Sequence, residues 1–212
     1  MGHRPHLHLP EPWLAGSIPL SGPQLSHLKK VLRLDSRAEV TYTNGEGTIG
    51  YGVFDGTSVT RGGEDTIPRP GTVTMAVAPP RNRDRQRFLI EKLQEMGVSA
   101  LLWLSTEFGL GRIPSQKRAV SWAIAALEQS QGAWLLEIGG ERLIKGLEGP
   151  YVVCDRDGDP KPPPGIATAV IGPEGGWGPE EIGADVPRWS LGSTVLRVET
   201  AAVVAAARLI NP

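Results

Sequence analysis

Ala167-Thr-Ala-Val-Ile171 runs without a break into Gly172-Pro-Glu-Gly-Gly-Trp-Gly-Pro-Glu-Glu181. A short apolar run that empties into closely spaced glycines reads as a buried strand whose carboxyl end opens onto a loop. Glycine lets the backbone come close to a ligand and expose its N–H and C=O groups. The order of residues excludes two familiar phosphate loops, because no Gly-Lys-Ser/Thr follows and the glycines do not fall as Gly-x-Gly-x-x-Gly. A plain structural turn is the other reading that composition leaves open.

Outward from this stretch, apolar and amphipathic segments alternate. Strands are expected at residues 72–78, 101–105, 151–154 and 167–171, with a short one near 189–191. Helices are expected at 84–96 and 115–131, briefly after Pro179, and at 199–209. Alternation of this kind predicts an α/β domain with a largely parallel sheet. Residues 155–165, with four prolines, read as a surface loop.

A second glycine stretch, Leu191-Gly-Ser-Thr-Val-Leu-Arg-Val-Glu-Thr-Ala201, repeats the order of strand, loop and helix start. The alanine-rich helix behind it, 201–207, is expected to be buried on most sides. Arg197 is the best functional candidate here, since a positive charge at a helix N-terminus opposes the dipole. Glu199 is open to a plainer reading as a dipole-favoured residue, and Thr200 as an N-cap.

The first 70 residues look different. Segments 39–43 and 48–54, joined across Asn44-Gly45, predict a hairpin, and short strands with tight turns predict a small barrel or sandwich. One helix is expected at 21–34, where Leu25, Leu28, Val31 and Leu32 share a face. Ile67-Pro-Arg-Pro-Gly71 then divides the chain into domains 1–70 and 71–212.

The 27 glycines and 19 prolines fit these loops, while 40% hydrophobic residues argue against wholesale disorder. A net charge of −1 conceals a balance of +2 over residues 1–40 and +4 over 81–118, against −5 over 119–212. A single cysteine, Cys154, rules out a disulfide framework and reads as packing. No apolar run reaches membrane-spanning length and the N-terminus lacks a signal-peptide pattern, so a cytoplasmic protein with no membrane association is expected. His3, His6 and His8, with no carboxylate or cysteine beside them, do not make a metal site, and none is expected elsewhere.

Gly172-Pro-Glu-Gly-Gly176 with Glu181 downstream, and Leu191-Gly192 followed by Leu196-Arg197 and Glu199-Thr200-Ala201, together resemble the SPOUT methyltransferases, in particular the RsmE family. His27-Leu-Lys-Lys-Val-Leu-Arg33, residues 92–97 and Glu128-Gln129-Ser130 match in the same order. The resemblance implies a knotted trefoil C-terminal domain of SPOUT type, preceded by a PUA-like β-barrel, in a homodimer formed through the C-terminal domain. It implies S-adenosylmethionine as cofactor, held by Ile171, Gly172, Pro173, Glu174, Gly175, Gly176, Leu191, Gly192, Ser193, Leu196 and Arg197. The implied activity is methylation of N3 of a uridine in 16S ribosomal RNA, with that RNA or the small ribosomal subunit as partner. Uracil N3 must lose its proton, which places negative charge on the ring oxygens, so Arg197 is the expected catalytic cation and Glu199 the expected base. RNA phosphates are expected at Lys29, Lys30 and Arg33 and at Arg81, Arg83 and Arg85. The chain departs from the family where Gln131-Gly132 and Phe108-Gly-Leu-Gly111 replace basic residues. The alternative is therefore a non-catalytic RNA-binding or ribosome-assembly protein that keeps the fold.

Overall fold

The computed structural model describes residues 4–13 and 16–211. The chain divides into two compact units, one of Met1–Arg69 with Leu127–Leu135 and one of Pro70–Ala126 with Leu136–Pro212.

In the first unit, β1 (His6–His8), β2 (Ser17–Pro19), β3 (Ala38–Thr43), β4 (Thr48–Phe54) and β5 (Ser58–Thr66) form one sheet in the order β1-β3-β4-β5-β2. The pairs are antiparallel except β1 with β3. Leu7, Ile18, Val40, Tyr42, Phe54 and Val59 supply its core. Gly50 is required here, because a Cβ would stand 2.1 Å from the Tyr42 ring that lies across it. Tyr42 donates to Glu64 over 2.7 Å, and burial together with that carboxylate raises the phenol to about 12. The β3–β4 connection has four residues rather than two. Asn44 Oδ1 accepts from the N–H groups of Glu46 and Thr48, and Gly45 takes a φ of 79°.

The helix expected over 21–34 is interrupted. A regular helix α1 (Gly22–Ser26) widens into a π-helical turn over His27–Val31, closed by the Leu32 N–H on the His27 carbonyl at 3.0 Å. With more residues per turn, spacings of three and four no longer share a face. Leu28 is accordingly buried while Val31 and Leu32 are exposed.

Residues 127–135 complete this unit through polar contacts. Glu128 accepts from the His8 N–H at 2.9 Å, His6 bonds Thr41 through Nδ1 and the Gly132 carbonyl through Nε2, and Thr43 donates to the Ala133 carbonyl. Burial holds the His6 and His8 imidazoles below their ordinary range. Their surroundings are therefore structural, and His3 lies outside the described residues.

The second unit contains β6 (Thr74–Val77), α2 (Arg83–Glu95), β7 (Ala100–Leu104), α3 (Gln116–Ser130), β8 (Glu137–Arg142), β9 (Tyr151–Asp159), β10 (Thr168–Ile171), β11 (Arg188–Trp189) and α4 (Val198–Ile210), with the last turn of α3 belonging to the first unit. Its sheet is parallel throughout, in the order β11-β9-β10-β6-β7-β8. Covered on both faces, the central strands read as continuous apolar runs. Met75, Ala76, Val77, Ala169 and Val170 are fully buried. Asn82 caps α2 by accepting from the Asp84 and Arg85 N–H groups. Gly97, at φ 75°, ends it in a Schellman motif, with Val98 N–H on the Leu93 carbonyl and Gly97 N–H on that of Gln94.

The structure differs from the sequence reading at five points in this unit. Strand β8 was not anticipated, since Glu137-Ile-Gly-Gly-Glu-Arg142 carries one large apolar side chain and no strand alternation. Strand β9 continues to Asp159, so the loop beyond it starts later than residue 155; Gly158 lies so close to the Arg188–Trp189 backbone that a Cβ would be 2.4 Å from the Trp189 nitrogen. No helix follows Pro179, because Gly183 and Pro187 leave too few residues to nucleate one. Arg197, not Thr200, is the N-cap of α4, and that helix is buried on one side only: Ala202, Ala205 and Ala206 are covered, whereas Ala207 is exposed.

Candidate functional site

β10 lies between β9 and β6, with Ile171 opposite Cys154 on one side and Val77 on the other. Its carboxyl end therefore delivers Gly172 to the middle of the sheet edge, where loops gather in a parallel fold. The loop after β11 returns to the same place and turns into α4 at Arg197. Between them is a cleft of about 680 Å³.

Ile171, Gly172, Pro173, Glu174, Gly176, Leu191, Gly192, Leu196 and Arg197 all line it. Two of the predicted residues do not. Gly175 faces Phe108, whose Cβ would lie 3.0 Å from an added Cβ, and Ser193 is exposed away from the cleft lining. Cys154, Asp155, Arg156 and Arg188 line the cleft without having been anticipated. The end of β9 brings in the first three through sheet adjacency, which a linear sequence does not display. Cys154 is partly buried, and desolvation lifts its thiol to about 12, so it is protonated and no nucleophile at neutral pH.

Two glycines are obligatory. A Cβ on Gly172 would stand 2.7 Å from the Trp177 ring, and Gly192 has a φ of 146° that side chains rarely tolerate. Glu181 fixes the first loop from behind: its carboxylate accepts from the Gly178 N–H at 2.7 Å and from the Glu107 N–H at 2.8 Å. The residue that the family motif singles out is thus a brace between the glycine loop and the segment after β7.

The charged candidates separate into different places. Arg197 is exposed on the cleft wall and makes no side-chain capping bond. Glu199 does not line the cleft; it is 6% exposed, its Oε1 is 3.6 Å from Arg85 Nε, and its Oε2 has no partner. Arg85 also approaches Glu174 at 3.9 Å and so bridges the glycine loop to the first turn of α4. Arg85, expected among the RNA contacts, is thus engaged with two carboxylates of this unit. Arg81 and Arg83 line a second concavity of this unit. Lys29, Lys30 and Arg33 are exposed on and just after the π-helical turn of the first unit.

A family model described as an RNA methyltransferase domain matches residues 68–210. The chain is 27% identical over 230 residues to the ribosomal RNA small subunit methyltransferase E of Synechocystis, covering 94% of this chain and 75% of that protein. A crystal structure of a probable rRNA methyltransferase from Porphyromonas gingivalis superposes with a TM-score of 0.83 at 25% identity, covering 97% of this chain and 96% of that one. The ribosomal RNA small subunit methyltransferase E of Neisseria gonorrhoeae, solved with S-adenosyl methionine, gives a TM-score of 0.83 at 24% identity over 98% of this chain and 97% of that one. The model match takes in both glycine loops, the cleft between them and α4, and the chain belongs to the RNA methyltransferase domain family.

Proposed function

We propose that the chain is an S-adenosylmethionine-dependent methyltransferase that acts on N3 of a uridine in small-subunit ribosomal RNA. The observation that carries this reading is the convergence of two glycine loops, 172–178 and 191–197, on one cleft. Its volume lies within the usual range for small-ligand sites. The lining suits the group: Ile171, Leu191 and Leu196 offer apolar surface, and the glycines leave backbone N–H and C=O groups approachable where a Cβ would intrude. When bound, S-adenosylmethionine supplies a methyl group on a positively charged sulfur.

This chain's own residues then have two tasks. The uracil must be held so that its N3 can give up its proton to solvent at the open cleft, and the negative charge that gathers on its ring oxygens must be met by a fixed cation. Arg197, exposed on the cleft wall with a side chain that makes no capping bond, takes the second role. Glu199 is a positioning residue in this reading, because it is buried beneath the cleft and paired with Arg85. Arg85 in turn steadies Glu174 on the glycine loop.

Several finer features belong to the same proposal. The five-stranded sheet of the first unit supports a PUA-like barrel over residues 1–70, and the all-parallel sheet supports a SPOUT-type knotted domain over 71–212. The partly open face of α4, with Ala201, Val203 and Val204 half-buried, supports a homodimer formed through that domain. No helix among the described residues is long and apolar enough to cross a membrane, and a ribosomal RNA substrate supports a cytoplasmic location.

Calorimetry with S-adenosylhomocysteine tests the reading. Saturable binding, one molecule per chain, is the expected result; a folded sample that neither releases nor absorbs heat of binding overturns it. The brace at Glu181 adds a graded check. Glu181→Ala leaves two loop N–H groups without their acceptor, and affinity for S-adenosylhomocysteine is expected to fall roughly tenfold, the equivalent of about one charge-assisted hydrogen bond.

A further inference from the structure

The two-loop cleft does not account for a second concavity of the same unit, of about 420 Å³, on which Arg81, Arg83, Arg112 and Arg118 converge. Among the described residues none of these four guanidinium groups makes an ion pair, whereas Arg85 and Arg87 on the same stretch both do. Like charges gathered on one concave surface repel one another and focus a positive potential. All four are solvent-exposed, so the cluster stands open to an incoming anion.

The concavity is also built. Gln86, only 5% exposed, donates through Nε2 to the Pro80 carbonyl at 2.6 Å and to the Arg112 carbonyl at 2.8 Å. One side chain thereby ties together the two backbone segments that carry Arg81 and Arg112. Gly111 permits their approach, since a Cβ there would stand 1.7 Å from the Pro79 carbonyl oxygen. Arg83 is steadied over the Trp122 ring, 5.8 Å from its centroid. Arg118 enters from the first turn of α3.

We propose that this concavity binds phosphodiester groups of the RNA backbone, with Arg112 and Arg118 completing a site begun by Arg81 and Arg83. It rests on the reading of the chain as an enzyme acting on RNA. Guanidinium groups are donors only, and two of them can grip neighbouring phosphate oxygens in forked pairs. Phosphates recur at every nucleotide whatever the base, and no carboxylate lines the concavity to repel them. The site therefore contributes grip and register rather than sequence choice. Free polyphosphate presents the same chemistry, and the test separates the two.

The experiment uses the full chain with Arg112→Gln and Arg118→Gln combined, and measures binding to 16S ribosomal RNA across a salt series. Loss of two phosphate contacts is expected to lower affinity at least tenfold and to flatten the slope of log affinity against log salt by about 2. The Arg112→Lys, Arg118→Lys pair keeps the charge and restores most of the slope, which a merely structural defect would not allow. Unchanged RNA affinity and slope in the glutamine pair overturns the proposal. Pyrophosphate that binds the parent and not the glutamine pair, with RNA binding equal in both, overturns it in favour of a free phosphate compound. S-Adenosylhomocysteine calorimetry on the same samples keeps the outcomes apart: the glutamine pair is expected to match the parent, and a parent that binds none refutes the cofactor reading and not this one.

Discussion

Gly172→Val is expected to abolish S-adenosylhomocysteine binding. The hydrogen that valine replaces faces the Trp177 ring, and the first added carbon would sit 2.7 Å from it, with two methyl groups still to place. Neither side can yield cheaply. Ile171 behind the glycine is held between two strands, and Trp177 is fixed within a loop that Glu181 ties down. The loop must therefore leave the cleft, and affinity should fall more than a hundredfold by calorimetry. The first unit shares no backbone with this loop, so amide exchange across residues 38–66 should match the parent. Gly192→Val reaches the same end through backbone conformation, since a φ of 146° costs a branched residue on the order of 1–3 kcal/mol. Parent-like affinity in both variants would mean that the two loops do not hold the cofactor.

Arg197→Ala separates catalysis from binding. The side chain makes no capping bond, so its removal leaves the start of α4 intact. Turnover is expected to drop roughly 100-fold to 1,000-fold, the loss typical of deleting one fixed donor to a developing oxyanion. Affinity for S-adenosylhomocysteine should stay within about threefold, because the charge that Arg197 answers arises on the uracil and only during reaction. Single-turnover methyl transfer alongside calorimetry checks both. A parallel fall in the two quantities would make Arg197 a cofactor ligand alone, and unchanged turnover would remove it from the mechanism.

How much of this was legible beforehand differs from element to element. Strand 167–171 and its glycine loop were readable because a doubly covered strand is written as an uninterrupted apolar run, and glycine marks close approach directly. Helix α2 was equally plain, with Asn82 and Gly97 at its ends. The π-helical turn at His27–Val31 was not, because a change from 3.6 residues per turn leaves the residue pattern unaltered and moves only which side chains face inward. Strand β8 was hidden because Gly139 and Gly140 carry no side chain to betray a face.

The site shows the same division. Of the eleven residues that the resemblance implied for the cofactor, nine line the cleft, and Gly175 and Ser193 do not. The contribution of Asp155 and Arg156 depended on β9 pairing beside β10, a fact of topology alone. The separate fates of Arg83 and Arg85 were illegible for a related reason. Two residues apart on one helix, they point to different sides, one over Trp122 and the other to Glu174 and Glu199. The acceptors that claim Arg85 lie far away in sequence. Residues 127–135 likewise join the first unit through His6, His8 and Thr43, partners that no local pattern announces.

The departures from the family pattern can be placed. Gln131 has a φ of 56° and Gly132 offers its carbonyl to His6, so this segment supports the first unit where the family carries a basic residue. Phe108 packs on Gly175 of the glycine loop, taking a supporting part beside the cleft. These substitutions leave the cleft and Arg197 in place, and methyl transfer is what separates an enzyme from a non-catalytic RNA-binding protein of the same fold.

One measurement addresses that distinction most directly: the purified chain, labelled S-adenosylmethionine and small ribosomal subunits lacking the modification are incubated together, and the RNA nucleosides are resolved by mass spectrometry. Label is expected in N3-methyluridine of 16S ribosomal RNA, lost with Gly172→Val and strongly reduced with Arg197→Ala. RNA that binds the chain yet carries no label in any nucleoside would contradict it.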